Sequence, residues 1–211
     1  NSLLWLLEFP PVARENIIKE AKKLGVREDQ LHFSPVAPKE EHIQRGFLAD
    51  LFLDTTTVNS HTTSCDILWS GTPMITVQGD KMACRVASSV LNAAGLNDLI
   101  CEDLLQYEEK AVALALASDK LYSYRRHMED VRDNCALFDT ERWVRNLEKG
   151  YSMAWKKHEL THVSSMADLA IGSVLSDMNS EETAELANND DITIKDEEPI
   201  WKPYSGVDEN E

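Results

Sequence analysis

The sequence has few of the features that mark disulfide-rich or membrane-spanning proteins. Its 211 residues include four cysteines that form no C-x-x-C pair, namely Cys65, Cys84, Cys101 and Cys135. This spacing gives no sign of a disulfide framework and favours reduced thiols in an intracellular protein. The sequence contains neither a signal-peptide pattern nor an apolar run of the roughly 20 residues that span a bilayer. We therefore expect a soluble protein.

Positive charge is also scarce, and negative charge is unevenly distributed. The formal net charge is -16, from 21 basic and 37 acidic residues. Residues 165–211 hold 13 of the acidic residues but only Lys195 and Lys202 among the basic ones. A nucleic-acid duplex requires clustered Lys and Arg, and the mildly acidic remainder of the chain has no such cluster. The composition argues against nucleic acid as a partner, whereas a single nucleotide needs far fewer cations.

The carboxyl-terminal segment differs from the rest of the chain. Residues 164–211 are rich in Ser, Asp, Glu, Asn and Thr, and such a composition buries too little apolar area to offset the entropy of ordering the chain. We predict a mostly disordered acidic tail there, with one short helix over residues 166–178. The folded domain is predicted to cover residues 1–163.

Within that domain, short apolar runs alternate with amphipathic segments. Strands are predicted at residues 2–8, 31–34, 51–54, 73–77 and 99–101. Helices are predicted at residues 12–24, 38–45, 62–69 and 82–94, with a further helical region over 107–157. This alternation predicts an α/β fold, a Rossmann-like parallel sheet with helices on both faces, although the strand order cannot be read from the pattern. The start at Asn1, immediately before a strand, is expected of a fragment or processed product.

The turn into the helix predicted at 62–69 is the first candidate site. If Ser60 caps this helix, the backbone N–H groups of Thr62 and Thr63 are among the unpaired donors of its first turn. A helix that opens directly after a strand is a common phosphate site. Asp66 follows one turn deeper on the same face, where a carboxylate suits ribose hydroxyls. An ordinary helix cap without a ligand would give the same spacing.

The second candidate is the helix predicted at 38–45. Lys39, His42 and Arg45 follow an i, i+3, i+6 spacing, which places them on one slowly drifting face of the helix. A cation and an imidazole plane can hold a pyrophosphate and a base. A solvated Lys/Glu/Arg face is the alternative, but this helix also opens directly after a strand.

Five segments resemble the carboxyl-terminal catalytic lobe of the protein O-GlcNAc transferase family. They are Phe33 to His42, Leu48 to Thr55, His61 to Thr63 with Asp66, Leu68 to Met74 and Arg85 to Ala87. The resemblance implies a GT-B architecture, in which two Rossmann-like lobes follow an amino-terminal array of tetratricopeptide repeats. It also implies transfer of N-acetylglucosamine from UDP-GlcNAc to Ser and Thr hydroxyls of cytoplasmic and nuclear proteins.

The resemblance assigns the contacts with the nucleoside to the helix predicted at 38–45, to the residue directly before it and to Asp66. The backbone of Ala37, with the side chains of His42 and Arg45, would contact the uracil. Lys39 and Asp66 would hold the ribose region.

The same resemblance assigns the diphosphate and the sugar linkage to His61, Thr62 and Thr63, which with Lys39 form the implied catalytic set. Two positions depart from the family pattern. Asn59-Ser60 stands where the family has Asn-Gly, and Ser64-Cys65 stands where it usually has Gly-Met. Losing the glycine matters if that backbone requires a positive φ, although Ser is a competent helix cap.

The implied reaction is inverting: the acceptor hydroxyl attacks C1 of the sugar while helix N–H donors and cations stabilise the UDP leaving group. No metal cofactor is implied. The family's amino-terminal lobe and tetratricopeptide repeats are absent from this sequence, so the chain is expected to supply the UDP-binding half and to be inactive alone.

Two other function classes fit parts of the sequence. His158-Glu159-Leu160-Thr161-His162 matches the H-E-x-x-H signature, in which two His bind zinc and the Glu acts as base in a peptidase. No further His follows at metzincin spacing, and a third ligand would have to come from the tail or a distant loop. The other alternative is a non-catalytic sugar-nucleotide-binding module whose acidic tail contacts basic partners.

Overall fold

The computed structural model describes the backbone of residues 2–163 and the side chains of residues 2–159. The predicted acidic tail, residues 164–211, and its helix at 166–178 lie outside the described residues. The chain divides into two compact units, the first ending at Arg132 and the second beginning at Asp133. No helix within the described range is long and apolar enough to cross a membrane.

The elements of the first unit alternate as the sequence pattern predicts. Its strands are β1 (Leu4–Leu7), β2 (Leu31–Ser34), β3 (Phe52–Leu53), β4 (Met74–Val77) and β5 (Ile100–Cys101). Its helices are α1 (Pro11–Lys23), α2 (Lys39–Gly46), α3 (Thr62–Trp69), α4 (Val86–Ala93), α5 (Leu104–Leu116) and α6 (Ser118–Val131). The second unit contains α7 (Thr140–Val163).

Every strand pair in the described chain is parallel, which confirms the predicted α/β class. β1 pairs with β2, with Leu4 opposite Leu31. β4 pairs with β3 on one side and with β5 on the other. The strands thus fall into a two-stranded and a three-stranded sheet, a pairing that hydrophobic periodicity does not specify.

The core of the first unit surrounds β4. Met74, Ile75 and Thr76 of this strand are fully buried, as are Leu68 of α3 and Leu91 of α4. A parallel strand covered on both faces needs such a continuous run of buried positions. The three-stranded sheet therefore holds the main apolar core, and α3 and α4 pack against it.

Glycine positions set how α2 and α3 lie against each other. Gly71, with φ +80°, ends α3 and returns the chain to β4. Gly46 ends α2 so close to α3 that an added Cβ would lie 2.8 Å from the Cβ of Ser70. The Thr72 hydroxyl donates to the Gly46 carbonyl at 2.5 Å. These contacts join the end of α2 to the end of α3.

Two predicted helices differ from the structure. The segment predicted as one helix at 82–94 is a 3-10 turn (Met82–Cys84) followed by α4. The Cys84 thiol donates to the Lys81 carbonyl at 3.1 Å and accepts the Lys81 N–H at 3.2 Å, which stabilises the tighter turn. The region predicted as helical over 107–157 is divided among α5, α6 and α7. Asp103 caps α5 by accepting the Gln106 N–H at 2.8 Å.

Candidate functional site

The amino-terminal turn of α3 presents free backbone donors, as predicted. The N–H groups of Thr62 and Thr63 donate to no acceptor within the described part of the chain. Thr62 is exposed and Thr63 is half-buried. An anion in front of this turn would therefore meet two N–H groups and the positive end of the helix dipole.

The expectation that Ser60 caps α3 is wrong. His61 occupies the N-cap position and makes no capping hydrogen bond through its side chain. The Ser60 hydroxyl lies instead 2.5 Å from the Ser64 hydroxyl, which donates to the Ser60 carbonyl at 2.6 Å. Ser64 belongs to the second of the two family departures and is fully buried. Its hydroxyl helps to hold the turn, because it bonds to Ser60 and not to the N–H groups of the first turn.

The structure brings two predicted site residues from different helices together. Lys39 Nζ lies 3.4 Å from Asp66 Oδ1, with side-chain exposures of 63% and 15%. Lys39 is the first residue of α2, and Asp66 lies one turn into α3. The ion pair therefore links the first turns of the two helices, and the largely buried Asp66 carboxylate keeps a second oxygen for another partner.

The remaining residues predicted to contact the nucleoside lie on α2 or just before it. Ala37, His42 and Arg45 are half-buried. Arg45 Nη1 donates to the Pro35 carbonyl at 2.7 Å, and Nη2 pairs with Glu41. The Arg45 guanidinium therefore fixes the segment before α2, and within the described residues its hydrogen bonds and ion pair do not involve α3.

The loop between β3 and α3 rests on the 3-10 turn that precedes α4. Asn59 is buried, and its N–H donates to the Ala83 carbonyl at 2.8 Å. His61 Nε2 lies 3.4 Å from the same carbonyl oxygen, while the His61 side chain remains exposed. The turn thereby orients the two residues that flank Ser60.

Sequence reasoning missed Asp54, the residue directly after β3. Asp54 is 4% exposed, and its carboxylate accepts hydrogen bonds from the Ser60 N–H at 2.7 Å and the Thr76 hydroxyl at 2.6 Å. The Tyr107 hydroxyl donates to the Asp54 carbonyl at 2.9 Å. Burial, together with the nearby Asp54 carboxylate, raises the pKa of Tyr107, so its phenol stays protonated as the donor. The sequence signal that could have identified Asp54 is an acidic residue directly after an apolar run.

Cys65 occupies the second departure from the family pattern. It is half-buried on α3, and burial raises the pKa of its thiol. The Asp66 carboxylate acts in the same direction and Lys39 in the opposite one. Because the thiolate is the reactive form, this environment does not activate Cys65 as a nucleophile.

The H-E-x-x-H segment lies on α7 in the second unit. Trp155 Nε1 donates to Glu159 Oε1 at 2.9 Å, and the Trp155 and His158 rings lie 5.7 Å apart. The His162 side chain is outside the described residues. Among the side chains that are described, no three His, Cys, Asp or Glu residues lie together as a metal site would require. The zinc-peptidase alternative is not favoured.

Comparisons with known proteins identify the family of the chain. The family model of glycosyl transferase family 41 matches residues 1–147. Over 159 residues the chain is 48% identical to the Arabidopsis thaliana protein named probable UDP-N-acetylglucosamine–peptide N-acetylglucosaminyltransferase SEC, a match that covers 75% of this chain and 16% of that protein. A Caenorhabditis elegans UDP-N-acetylglucosamine–peptide N-acetylglucosaminyltransferase is 40% identical over 159 residues, covering 75% and 14% of the two chains.

A solved structure of a mutant Thermobaculum terrenum O-GlcNAc transferase superposes with a TM-score of 0.67 at 27% identity, covering 71% of this chain and 29% of that one. The chain spans about one sixth of the length of the plant and nematode relatives. The match to the family model extends over most of the described residues. The chain belongs to glycosyl transferase family 41.

Proposed function

We propose that this chain is the UDP-binding half of an inverting glycosyltransferase that moves N-acetylglucosamine from UDP-GlcNAc to Ser and Thr hydroxyls of proteins. UDP-N-acetylglucosamine as donor and a peptide as acceptor are part of the names of the plant and nematode relatives. The observation that carries the proposal is the Lys39–Asp66 pair at 3.4 Å beside the unpaired N–H groups of Thr62 and Thr63.

The diphosphate is proposed to lie at the start of α3. There the N–H groups of Thr62 and Thr63, their hydroxyls and the helix dipole all favour negative charge. When the acceptor oxygen attacks C1, the bond from C1 to the β-phosphate oxygen breaks and that oxygen gains charge. Donors already aimed at this position stabilise the transition state without reorganising. Lys39 adds a cation, and His61 borders the sugar linkage.

The nucleoside is proposed to lie across the openings of α2 and α3. Asp66 accepts hydrogen bonds from ribose hydroxyls through its remaining lone pairs, and Lys39, its ion-pair partner, also contacts the ribose region. The Ala37 backbone, His42 and Arg45 contact the uracil edge. Arg45 can do so with little loss of freedom, because the Pro35 carbonyl and Glu41 already hold its guanidinium.

The rest of the enzyme is proposed to come from residues outside this sequence. A second, amino-terminal lobe would close the cleft and carry the acceptor side, and tetratricopeptide repeats would recruit protein substrates. Because N–H donors and cationic side chains neutralise the leaving group, we propose that the reaction needs no metal cofactor. Cytoplasmic and nuclear proteins are the proposed acceptors.

Thermal unfolding with and without UDP tests the binding site. UDP at 1 mM is expected to raise the Tm of the chain, since a ligand that binds only the folded state stabilises it. Lys39→Ala and Asp66→Ala are expected to remove most of that shift. Lys23→Ala is the matched control, because Lys23 is also an exposed lysine paired with an acid, Glu20, but lies on α1.

An unchanged Tm at millimolar UDP, or an equal loss of the Tm shift in the Lys23→Ala control, would count against the proposed site.

Transfer of radiolabelled sugar to a Ser-containing acceptor peptide is measured in parallel. The chain alone is expected to be inactive, and transfer by the chain alone would contradict the requirement for a second lobe.

A further inference from the structure

The buried carboxylate of Asp54 has no place in the nucleotide contacts proposed above. A charge with 4% exposure is costly unless it is hydrogen-bonded. Asp54 meets that requirement with two charge-assisted hydrogen bonds: one oxygen accepts the Ser60 N–H at 2.7 Å, and the other accepts the Thr76 hydroxyl at 2.6 Å. Its carboxylate therefore joins the last residue of a loop to the central strand β4.

That loop, residues 55–60, leads the chain from β3 into α3. Within the loop, the Asn59 side-chain amide donates to the Thr55 carbonyl at 2.8 Å, and the Thr55 hydroxyl donates to the Val58 carbonyl. Ser60 lies two residues before Thr62, so the direction of the Ser60 peptide decides where the first turn of α3 begins. No side chain caps that turn, and Asp54 takes the N–H just upstream of the free donors.

We infer that Asp54 is a positioning residue that pre-organises the diphosphate site: it fixes the Ser60 peptide to Thr76 and thereby holds the Thr62 and Thr63 N–H groups outward before a ligand binds. The inference rests on the proposed function and adds a residue that does not touch the nucleotide. Pre-organised donors bind and stabilise charge better because no ordering is needed when the ligand arrives.

Substitution of Asp54 separates positioning from general stability. Asp54→Ala removes both acceptors and is expected to weaken UDP binding by about tenfold, the loss expected for one hydrogen bond to a charged group. Asp54→Asn keeps an oxygen for the Ser60 N–H and an amide for Thr76, so its affinity is expected to stay within about twofold. Asp103→Ala is the matched control, because Asp103 also accepts a backbone N–H, that of Gln106, but at α5.

Amide hydrogen exchange gives a reading that does not depend on UDP. Asp54→Ala is expected to speed exchange at Ser60 selectively, while Asp54→Asn and Asp103→Ala leave it slow. If Asp54→Ala does not fold, Thr76→Val replaces it: the carboxylate loses its tether to β4, and a smaller weakening of UDP binding is expected, with Thr76→Ser as its control.

Equal UDP affinity in wild type and folded Asp54→Ala would overturn the inference, as would a failure of Asp54→Asn to restore binding. If wild type itself does not bind UDP, the proposed function fails. In that case, if the Ser60 amide of Asp54→Ala exchanges as slowly as in wild type, the positioning role is rejected as well. If the Ser60 amide exchanges faster and other amides do not, Asp54 still holds the turn, and only the proposed function fails.

Discussion

The two sheets of the first unit differ in how deeply they are buried. β4 of the three-stranded sheet has Met74 and Ile75 fully buried. β1 of the two-stranded sheet is equally apolar, yet its Leu4 and Leu7 are 42% and 49% exposed. Since apolar burial stabilises a fold by roughly 25 cal/mol per Å², the three-stranded sheet contributes most of the stability, and an apolar sequence alone does not make a core strand.

This difference bears directly on the proposed site, because its two halves follow different sheets. α3 follows β3 of the buried sheet, whereas α2 follows β2 of the exposed one. α2 is nevertheless attached to the buried side, since Thr72 binds the Gly46 carbonyl and Lys39 pairs with Asp66. The position of α2 thus depends more on α3 than on its own sheet.

Truncation in the two sheets is expected to give the largest contrast. Ile75→Ala creates a cavity at a fully buried position and is expected to lower the free energy of unfolding by about 2–5 kcal/mol. Leu4→Ala removes a side chain that is 42% exposed and is expected to cost less than about 1.5 kcal/mol. Urea denaturation measures both, and equal losses would remove the distinction between the sheets.

Gly46→Ala tests whether α2 is held by α3. The added Cβ would lie 2.8 Å from the Cβ of Ser70, so the helices must separate, at an expected cost of about 1–3 kcal/mol. We also expect weaker UDP binding, because Lys39 moves away from Asp66. Gln44→Ala, an exposed change on the same helix, is the control. Unaltered stability and UDP affinity in Gly46→Ala would show that α2 is placed by other contacts.

The reactivity of Cys65 reports on the environment of α3. Burial raises the pKa of its thiol, so less thiolate is present at a given pH than in an unfolded chain. Alkylation by iodoacetamide is expected to be slower in the folded chain at pH 8 and to rise only at higher pH, with UDP slowing it further. Mass spectrometry of the Cys65 peptide, with urea-unfolded chain as reference, measures this. Faster alkylation in the folded chain would contradict the account.

The smallest effect on stability is expected for Lys39→Ala. Lys39 is 63% exposed, and an exposed ion pair is worth at most about 1 kcal/mol. A double-mutant cycle with Asp66→Asn in urea denaturation is expected to give a coupling energy below about 0.5 kcal/mol, while UDP affinity falls strongly in each single variant. A large coupling energy without UDP would assign the pair to folding instead of ligand binding.

Hydrophobic periodicity predicted some elements closely. α3 has the predicted bounds, Thr62–Trp69, because a polar turn and the stop at Gly71 surround one apolar face. The split of the 82–94 helix depends on the Cys84 thiol bonding to Lys81, a contact that no periodic pattern encodes. The division into two sheets depends likewise on which strands meet in space.

The same difference between local patterns and distant contacts applies to the candidate site. The sequence pattern predicted Lys39, Thr62, Thr63 and Asp66 from their spacing in the first turns of two helices. The structure brings Lys39 and Asp66 together, and their role in UDP binding stays a prediction. The pattern assigned Ser60 the wrong partner, since the Ser60 hydroxyl bonds to Ser64. It also missed Asp54, whose role depends on Thr76 from a strand 22 residues away. Backbone donors at the start of a helix can be predicted from the sequence. The residues that hold these donors in place are distant in the sequence and are seen only in the folded structure.

The most direct measurement is an NMR titration of the isotope-labelled chain with UDP. We expect saturable amide shifts that are largest at Thr62, Thr63 and Lys39 and absent at Lys23 on α1. No shift at millimolar UDP, or shifts confined to residues away from the openings of α2 and α3, would contradict the claim that these two helices form a UDP site.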